Sequence, residues 1–177
     1  MAKIWMPIVA LLLAAALLLG VYNLTLGIRR ENEQNELQKK METLLPGSTT
    51  FQEENYTGED ANIACVYKGE TGYVIGTVTA GYAGPIHMLI GVNNDGYVTG
   101  LQVRQMEETF GLGGEALTDW EFLAQFLLTE GDAAVGEDID AITGATVTSK
   151  AITRSVNSAV GFVTGSDVDS GATSWGG

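Results

Sequence analysis

Cysteine and histidine are almost absent from this 177-residue chain, which has one of each. A lone Cys65 cannot form an internal disulfide, hold an iron–sulfur cluster or complete a cysteine-rich zinc site. Its apolar neighbours predict a buried structural thiol. His87 falls on a predicted strand, and we interpret it as a structural residue. The sequence therefore favours neither a cysteine-based metal centre nor a histidine-based catalytic site.

Basic residues are also scarce after the first quarter of the chain. Residues 43–177 contain 18 Asp and Glu but only four Lys and Arg, which gives this part a net charge near −14. Such a surface repels nucleic acid and anionic membranes, so neither is an expected partner of this region. A basic surface on a partner protein or a metal-rich medium suits it better, although solubility alone explains the charge at least as well.

What the sequence does contain, near its start, is one long apolar run. Ile4–Tyr22 holds 19 residues without a charge, and as a helix this run would span about 28 Å, close to one hydrocarbon core. A signal peptide usually has a shorter apolar run that ends at a small-residue cleavage site, whereas Ala14–Ala16 lie within this run. After a short N-terminus at residues 1–3, we therefore predict a retained transmembrane helix at residues 4–27 rather than a cleaved signal.

A charged linker helix is predicted next, at residues 28–46. Leu37, Met41, Leu44 and Leu45 recur there at helical spacing, and Pro46-Gly47 ends the pattern. One domain is predicted over residues 47–164, followed by a flexible tail at 165–177. Basic residues at positions 29, 30, 39 and 40 would place the domain in the cytoplasm by the positive-inside rule, although glutamates interleave with them.

Strand patterns dominate the first half of the predicted domain. β-branched and aromatic residues concentrate at 62–68 and 73–80, and apolar residues alternate through 86–92 and again at 101–103. Asn94-Asp95-Gly96 between the last two runs is a strong hairpin sequence. Helices are predicted at 120–127, with Thr118 or Asp119 as the cap, and at 147–162. This segregation predicts an α+β fold, an antiparallel sheet with packed helices.

The pattern Asp-x-x-(Thr or Ser)-Gly-Ala-Thr occurs twice, at 140–146 and at 167–173. The first copy leads into a predicted helix, whose unpaired amides and positive dipole end favour a phosphate. Gly144 permits the tight backbone that such a start requires. A simple helix start, capped by Thr148 or Ser149, is the alternative. The hydroxyl residues around this start are Thr143, Thr146, Thr148 and Ser149.

The first copy, Asp140-Ala141-Ile142-Thr143-Gly144-Ala145-Thr146, resembles the flavinylation motif of the FMN-binding domain family. This family includes the G subunit of Rnf complexes and the C subunit of sodium-pumping NADH:quinone reductases. The resemblance implies that Thr146 carries FMN through a phosphoester bond, that Asp140 is the motif acid, and that a separate flavin transferase attaches FMN from FAD. The other residues implied to surround the phosphate are Thr143, Gly144, Ala145, Thr148 and Ser149.

Two further segments are similar to parts of the same family. Gly81–Ile86 resembles its glycine-rich turn, and Glu108–Gly113 resembles its "ETPGLG" loop, with Phe110 in place of the usual proline. The resemblance implies a ring environment built by Tyr82, Glu108, Leu112 and Gly113. The apolar run, the linker helix and the domain size resemble the Rnf G subunit most closely. The family places its flavin domain on the extracytoplasmic side, against the charge rule.

The resemblance therefore implies a membrane-anchored flavoprotein that relays electrons among the other subunits of an Rnf-type ferredoxin:NAD oxidoreductase coupled to ion translocation. A C-type subunit of a sodium-pumping quinone reductase and a non-redox tethered binding module stay open as alternatives. The second copy of the pattern precedes only four residues and no helix. Thr173 is accordingly interpreted as part of a polar tail rather than as a second FMN acceptor.

Overall fold

The structure, a computed structural model, describes residues 2–106 and 119–166. The chain divides into two compact units, Met1–Lys39 and Lys40–Gly177. Helix α1 spans Ala2–Leu44 and so crosses the boundary between them. The residues predicted as separate membrane and linker helices thus lie in one continuous helix. Within the two described ranges, no helix combines the length and the hydropathy that a bilayer crossing requires.

The second unit is built on five antiparallel strands that lie in the sheet in chain order, which confirms the predicted fold class. The short edge strand β1 is missing from the sequence prediction, because its residues Gln-Glu-Glu have little strand preference and gain it only by pairing with β2. The strands are β1 Gln52–Glu54, β2 Ile63–Lys68, β3 Gly72–Ala80, β4 Pro85–Asn93 and β5 Val98–Met106.

The hairpin predicted at 94–96 joins β4 to β5. The Asn93 N–H donates to the Tyr97 carbonyl at 2.9 Å, and the Gly96 N–H donates to the Asn93 carbonyl at 3.0 Å. The Asn93 side-chain oxygen also accepts from the amides of Asp95 and Tyr97. Gly96 has a φ of +91°, a conformation that glycine adopts without strain.

Two helices follow the sheet, α2 at Trp120–Ala124 and α3 at Thr146–Thr164. The Asp119 carboxylate caps α2 by accepting from the Phe122 amide at 3.1 Å, as predicted for this residue, whereas Thr118 lies outside the described residues. α2 ends at Ala124, earlier than predicted, because residues 125–128 form turns. Gly165, with a φ of +69°, ends α3 by donating its N–H to the Gly161 carbonyl.

The main core lies between one face of the sheet and α3. Its fully buried side chains include Ile75 and Met88 from the sheet, Phe126 after α2, and Ile152 from α3. Some of the polar residues buried between α3 and the sheet are hydrogen-bonded to each other, such as Thr79 and Ser155 at 2.9 Å. The Thr79 hydroxyl also donates to the Ala151 carbonyl at 3.2 Å.

The end of α1 packs on the other face of the sheet. Of the four residues predicted to share one helix face, Met41, Leu44 and Leu45 are buried and Leu37 is half-buried. The Thr99 hydroxyl donates to the Leu44 carbonyl at 2.6 Å and fixes the last turn against the sheet.

The single cysteine, Cys65, and the single histidine, His87, both lie in strands. Cys65 is half-buried rather than buried, because the pairing of β2 with β3 shifts register between Ile63 and Cys65. His87 lies in β4, opposite Val78 of β3, as expected for a strand residue.

Candidate cofactor site

Thr146 is the first residue of α3, and its side chain is exposed. The preceding residue, Ala145, is the N-cap and makes no side-chain cap bond. The first intrahelical bond runs from the Ser149 amide to the Ala145 carbonyl at 2.9 Å. The amides of residues 146–148 therefore have no acceptor within the helix. The exposed Thr146 hydroxyl thus lies at the start of α3, where no side chain caps the helix.

A tight turn presents this helix start. The Ala145 N–H donates to the Ile142 carbonyl at 2.9 Å, which closes a four-residue turn over Thr143 and Gly144. Gly144 has a φ of +81°, whereas Thr143 does not have a positive φ. This is the type II arrangement, in which the third residue is usually glycine. The Thr-Gly-Ala-Thr sequence therefore encodes a turn that ends at Ala145, directly before Thr146.

The prediction that Thr148 or Ser149 caps α3 is wrong, because the N-cap makes no side-chain hydrogen bond. The Ser149 side chain instead stabilises the preceding turn from its buried side. The Ser149 hydroxyl accepts from the Ile142 amide at 3.2 Å and donates to the Ala145 carbonyl at 3.0 Å. Both Thr148 and Ser149 are buried beneath the helix start. The sequence pattern could not distinguish a cap from this arrangement, because only the fold decides which side of the first turn faces the core.

Two hydrogen bonds join the backbone of Asp140 to the side chain of Gln125. The Asp140 N–H donates to the Gln125 side-chain oxygen at 2.7 Å, and the Gln125 amide nitrogen donates to the Asp140 carbonyl at 3.4 Å. The Asp140 residue itself is exposed. Gln125 is missing from the sequence prediction, and the only available signal is its polar side chain within the apolar run Phe122–Phe126.

The direction of α3 brings other elements to the same end of the sheet. Near the end of β3, the Thr79 hydroxyl contacts Ala151 and Ser155 in the first half of α3. Near the start of β3, the Tyr73 ring packs edge-on against Phe162, close to the end of α3. α3 therefore runs antiparallel to β3, and its first residue lies towards the turn between β3 and β4.

That turn carries Tyr82, the one predicted ring contact within the described residues. The Gly81 N–H donates to the Gly84 carbonyl at 2.9 Å, and the Tyr82 side chain between them is 71% exposed. β5 also ends at this end of the sheet, since Met106, its last residue, pairs with Ile86 near the start of β4. The loop with Glu108, Leu112 and Gly113 begins just after this point and lies outside the described residues, as does Thr173.

Comparisons with known proteins agree with this arrangement. The model of the family described as "FMN-binding domain" matches residues 81–161, which span the Tyr82 turn, the Thr-Gly-Ala-Thr turn and most of α3. A G subunit of an ion-translocating oxidoreductase complex from Methanosarcina acetivorans is 34% identical over 166 residues. The match covers 85% of this chain and 87% of that protein.

This chain belongs to the FMN-binding domain family. Two further relatives are similar to it. The G subunit of a proton-translocating ferredoxin:NAD(+) oxidoreductase complex from Clostridium ljungdahlii is 30% identical over 86% of this chain and 85% of its own length. The G subunit of an Na(+)-translocating complex of the same kind from Acetobacterium woodii is 38% identical over 50% of this chain and 47% of its own length.

The match to the FMN-binding domain family includes every residue of the candidate site. The matched range contains all the predicted contacts with the cofactor, including those whose structure is not described. Leu44, at the end of α1, lies outside this range. The matched range therefore includes β4, β5 and α2 as well as the turns and the helix around Thr146.

Proposed function

We propose that this chain is a membrane-anchored covalent flavoprotein that relays electrons within an Rnf-type ion-translocating ferredoxin:NAD oxidoreductase. FMN is joined to Thr146 by a phosphoester bond, and the chain works with the other subunits of the complex. Its relatives are named as G subunits of such complexes. Because one of them is named as Na(+)-translocating and another as proton-translocating, the name of a relative does not select the ion for this chain.

The observation that carries this proposal is the position of Thr146. Its hydroxyl is exposed on the first residue of a 19-residue helix that has no side-chain cap. A phosphate ester at this hydroxyl would meet the open amides of residues 146–148 and the positive end of the helix dipole. Such a site can hold a phosphate without lysine or arginine. The local backbone thus fits the phosphate of FMN.

Attachment requires a separate flavin transferase, because a threonine hydroxyl is a weak nucleophile without a neighbouring base. His87, the only histidine in the chain, cannot act as that base. It pairs with Val78, and both alternate with Thr79, which faces α3, so His87 points to the opposite side of the sheet. With FAD as donor, the Thr146 oxygen bonds to the FMN phosphorus, the pyrophosphate bond breaks, AMP leaves and the hydroxyl proton is lost.

The chain's own residues position the cofactor, which supplies the electron-transfer chemistry when bound. Tyr82 lies exposed in the turn at the same end of the sheet, available to contact the flavin ring. Glu108, Leu112 and Gly113 complete this environment in our proposal. Asp140, Thr143, Gly144, Ala145, Thr148 and Ser149 shape the phosphate end, with Gln125 as an added positioning residue.

The membrane anchor is the apolar part of α1, at residues 4–27. It includes 19 consecutive residues without a charge. Leu11–Leu13 and Leu17–Leu19 are each at least 62% exposed on the helix surface. Six exposed leucines on one short helical segment are unfavourable in water and favourable in a bilayer. The flavin domain is placed on the extracytoplasmic side, following the resemblance to the family.

Intact-mass measurement tests the flavin assignment. Chain purified from a host that flavinylates its own proteins should gain the mass of one FMN less one water, and peptide mapping should place this mass on Thr146. Thr146→Ala should abolish the adduct and the in-gel flavin fluorescence, whereas Thr173→Ala, in the second copy of the motif, should retain both. An unmodified chain from such a host would instead favour the non-redox tethered module.

A further inference from the structure

A cleft of about 930 Å³ lies beside α3, in the second unit of the chain. One wall is the connection between β1 and β2, and the other is the side of α3 that carries positions 154, 158, 161 and 162. Residues 140–149, all of which the structure describes, do not line it. Small-molecule sites are usually concave, of this size, and lined by apolar groups with a few polar ones. The cleft is therefore a candidate binding site separate from Thr146.

Apolar side chains line part of this cleft. Ile63 and Val66 of β2 belong to the main core, and both also line the cleft. The Phe162 ring of α3 packs edge-on against the Tyr56 ring of the opposite wall, with 5.8 Å between the ring centroids. Placing an apolar group of a ligand against these side chains is favourable, because it removes apolar surface from water. The lining therefore suits a ligand that has an apolar body.

Several polar groups of the two walls already bond to one another. The Asp60 N–H donates to the Tyr56 hydroxyl at 3.0 Å, and the Asp60 carboxylate accepts from the Asn62 backbone N–H at 2.8 Å. The Asn62 side chain donates to the Ser158 hydroxyl of α3 at 3.1 Å and so joins one wall to the other. These groups thus stabilise the shape of the cleft.

Arg154 differs from these groups, and it is the only basic residue among the described residues that line the cleft. The residue is half-buried, and its Nε atom is buried without a hydrogen-bond partner within residues 2–106 and 119–166. A buried guanidinium N–H without an acceptor is unfavourable, so an acceptor is expected at this position. A carboxylate fits best, because its two oxygens accept two parallel hydrogen bonds from a guanidinium.

We propose that the cleft binds a small molecule that has one carboxylate and an apolar body. The carboxylate pairs with the Arg154 guanidinium through Nε, and the apolar body lies against the Phe162 ring. Glu59 and Asp60 on the opposite wall repel a second negative charge, so the site disfavours dicarboxylates and phosphate monoesters. This binding does not depend on FMN at Thr146, and its test is therefore independent of the proposed function.

Titration of the full chain in detergent with benzoate tests the site, with ¹⁵N-labelled arginine observed by NMR. The Arg154 Nε–H resonance, identified by its loss in Arg154→Gln, should shift with benzoate and stay in place with benzamide, which has the same ring without the charge. Measured on the benzoate proton signals, Arg154→Gln should weaken binding about tenfold or more, because the paired charge is lost. Arg104→Gln is the matched control, since Arg104 is exposed and does not line the cleft, and it should keep the original affinity.

Glu59→Gln tests the predicted selectivity of the opposite wall. The unchanged chain should bind succinate more weakly than benzoate, and Glu59→Gln should narrow this difference because one repelling carboxylate is gone. If Arg154→Gln does not fold, Arg154→Lys identifies the resonance in the same way. An Arg154 resonance that benzoate does not move, equal binding of benzamide, an equal loss in Arg104→Gln, or succinate bound as tightly as benzoate by the unchanged chain would overturn the proposal.

Discussion

At the scale of single residues, Gly144 is the position on which the candidate site depends most. Its φ of +81° closes the turn from Ile142 to Ala145, and this turn delivers Thr146 to the helix start. An alanine in this conformation would bring its Cβ too close to the following backbone. The Thr-Gly-Ala-Thr sequence thus matters for the backbone conformation of the turn as much as for the chemistry of the Thr146 hydroxyl.

Gly144→Ala should destabilise the domain by about 1–2 kcal/mol and reduce the fraction of chain that carries FMN, because the strained turn displaces Thr146. Gly136→Ala is the matched control, since Gly136 has a φ of +92° and no atom lies within 4 Å of the position that a Cβ would take there. Urea unfolding should show similar losses for both variants, whereas intact mass should show reduced FMN only for Gly144→Ala. Equal FMN loading in the two variants would contradict this prediction.

At the scale of secondary-structure elements, the sheet receives the end of α1 in a notch made by two glycines. Gly91 of β4 pairs directly with Gly100 of β5. A Cβ on Gly91 would overlap the Leu44 carbonyl, and one on Gly100 would lie 3.0 Å from the Leu44 Cα. The absent side chains therefore let the last turn of α1 approach the sheet closely enough for Thr99 to bond the same carbonyl at 2.6 Å.

Gly91→Ala should cost about 1–3 kcal/mol of unfolding free energy, because the contact is with backbone that cannot move aside cheaply. Gly100→Ala should cost less, since its closest contacts leave more room. Chemical denaturation of the full chain measures both. The informative result is which variant loses more unfolding free energy. A larger loss for Gly100→Ala than for Gly91→Ala would contradict the close contact of Leu44 with Gly91.

At the scale of the whole molecule, charge and hydropathy divide the chain into parts with different surroundings. The apolar run lies in the first unit, whereas the acidic residues from position 43 onward belong to the second. Four basic residues follow the apolar run, yet the proposed function places the flavin domain outside the cytoplasm. The positive-inside rule and the proposal therefore predict opposite orientations.

Reporter fusions after Gly177 distinguish these orientations. Alkaline phosphatase, which is active only outside the cytoplasm, should be active in this fusion, and green fluorescent protein exported by the Sec pathway should stay dark. Replacing Arg29, Arg30, Lys39 and Lys40 together by glutamine should leave the result unchanged if the orientation is fixed as proposed. A fluorescent, phosphatase-negative pair would place the domain in the cytoplasm and contradict this part of the proposal.

The sequence by itself determined the class of fold, most of the strands, the hairpin at Asn94-Asp95-Gly96 and the helix that begins at Thr146. These features depend on local periodicity and on turn residues, which a short stretch of chain encodes. Only the tertiary structure decided that Ser149 locks the turn instead of capping the helix, and that Gln125 holds the backbone of Asp140. Both depend on which side chains the packing of α3 brings together from distant or inward-facing positions, and no local pattern carries that information.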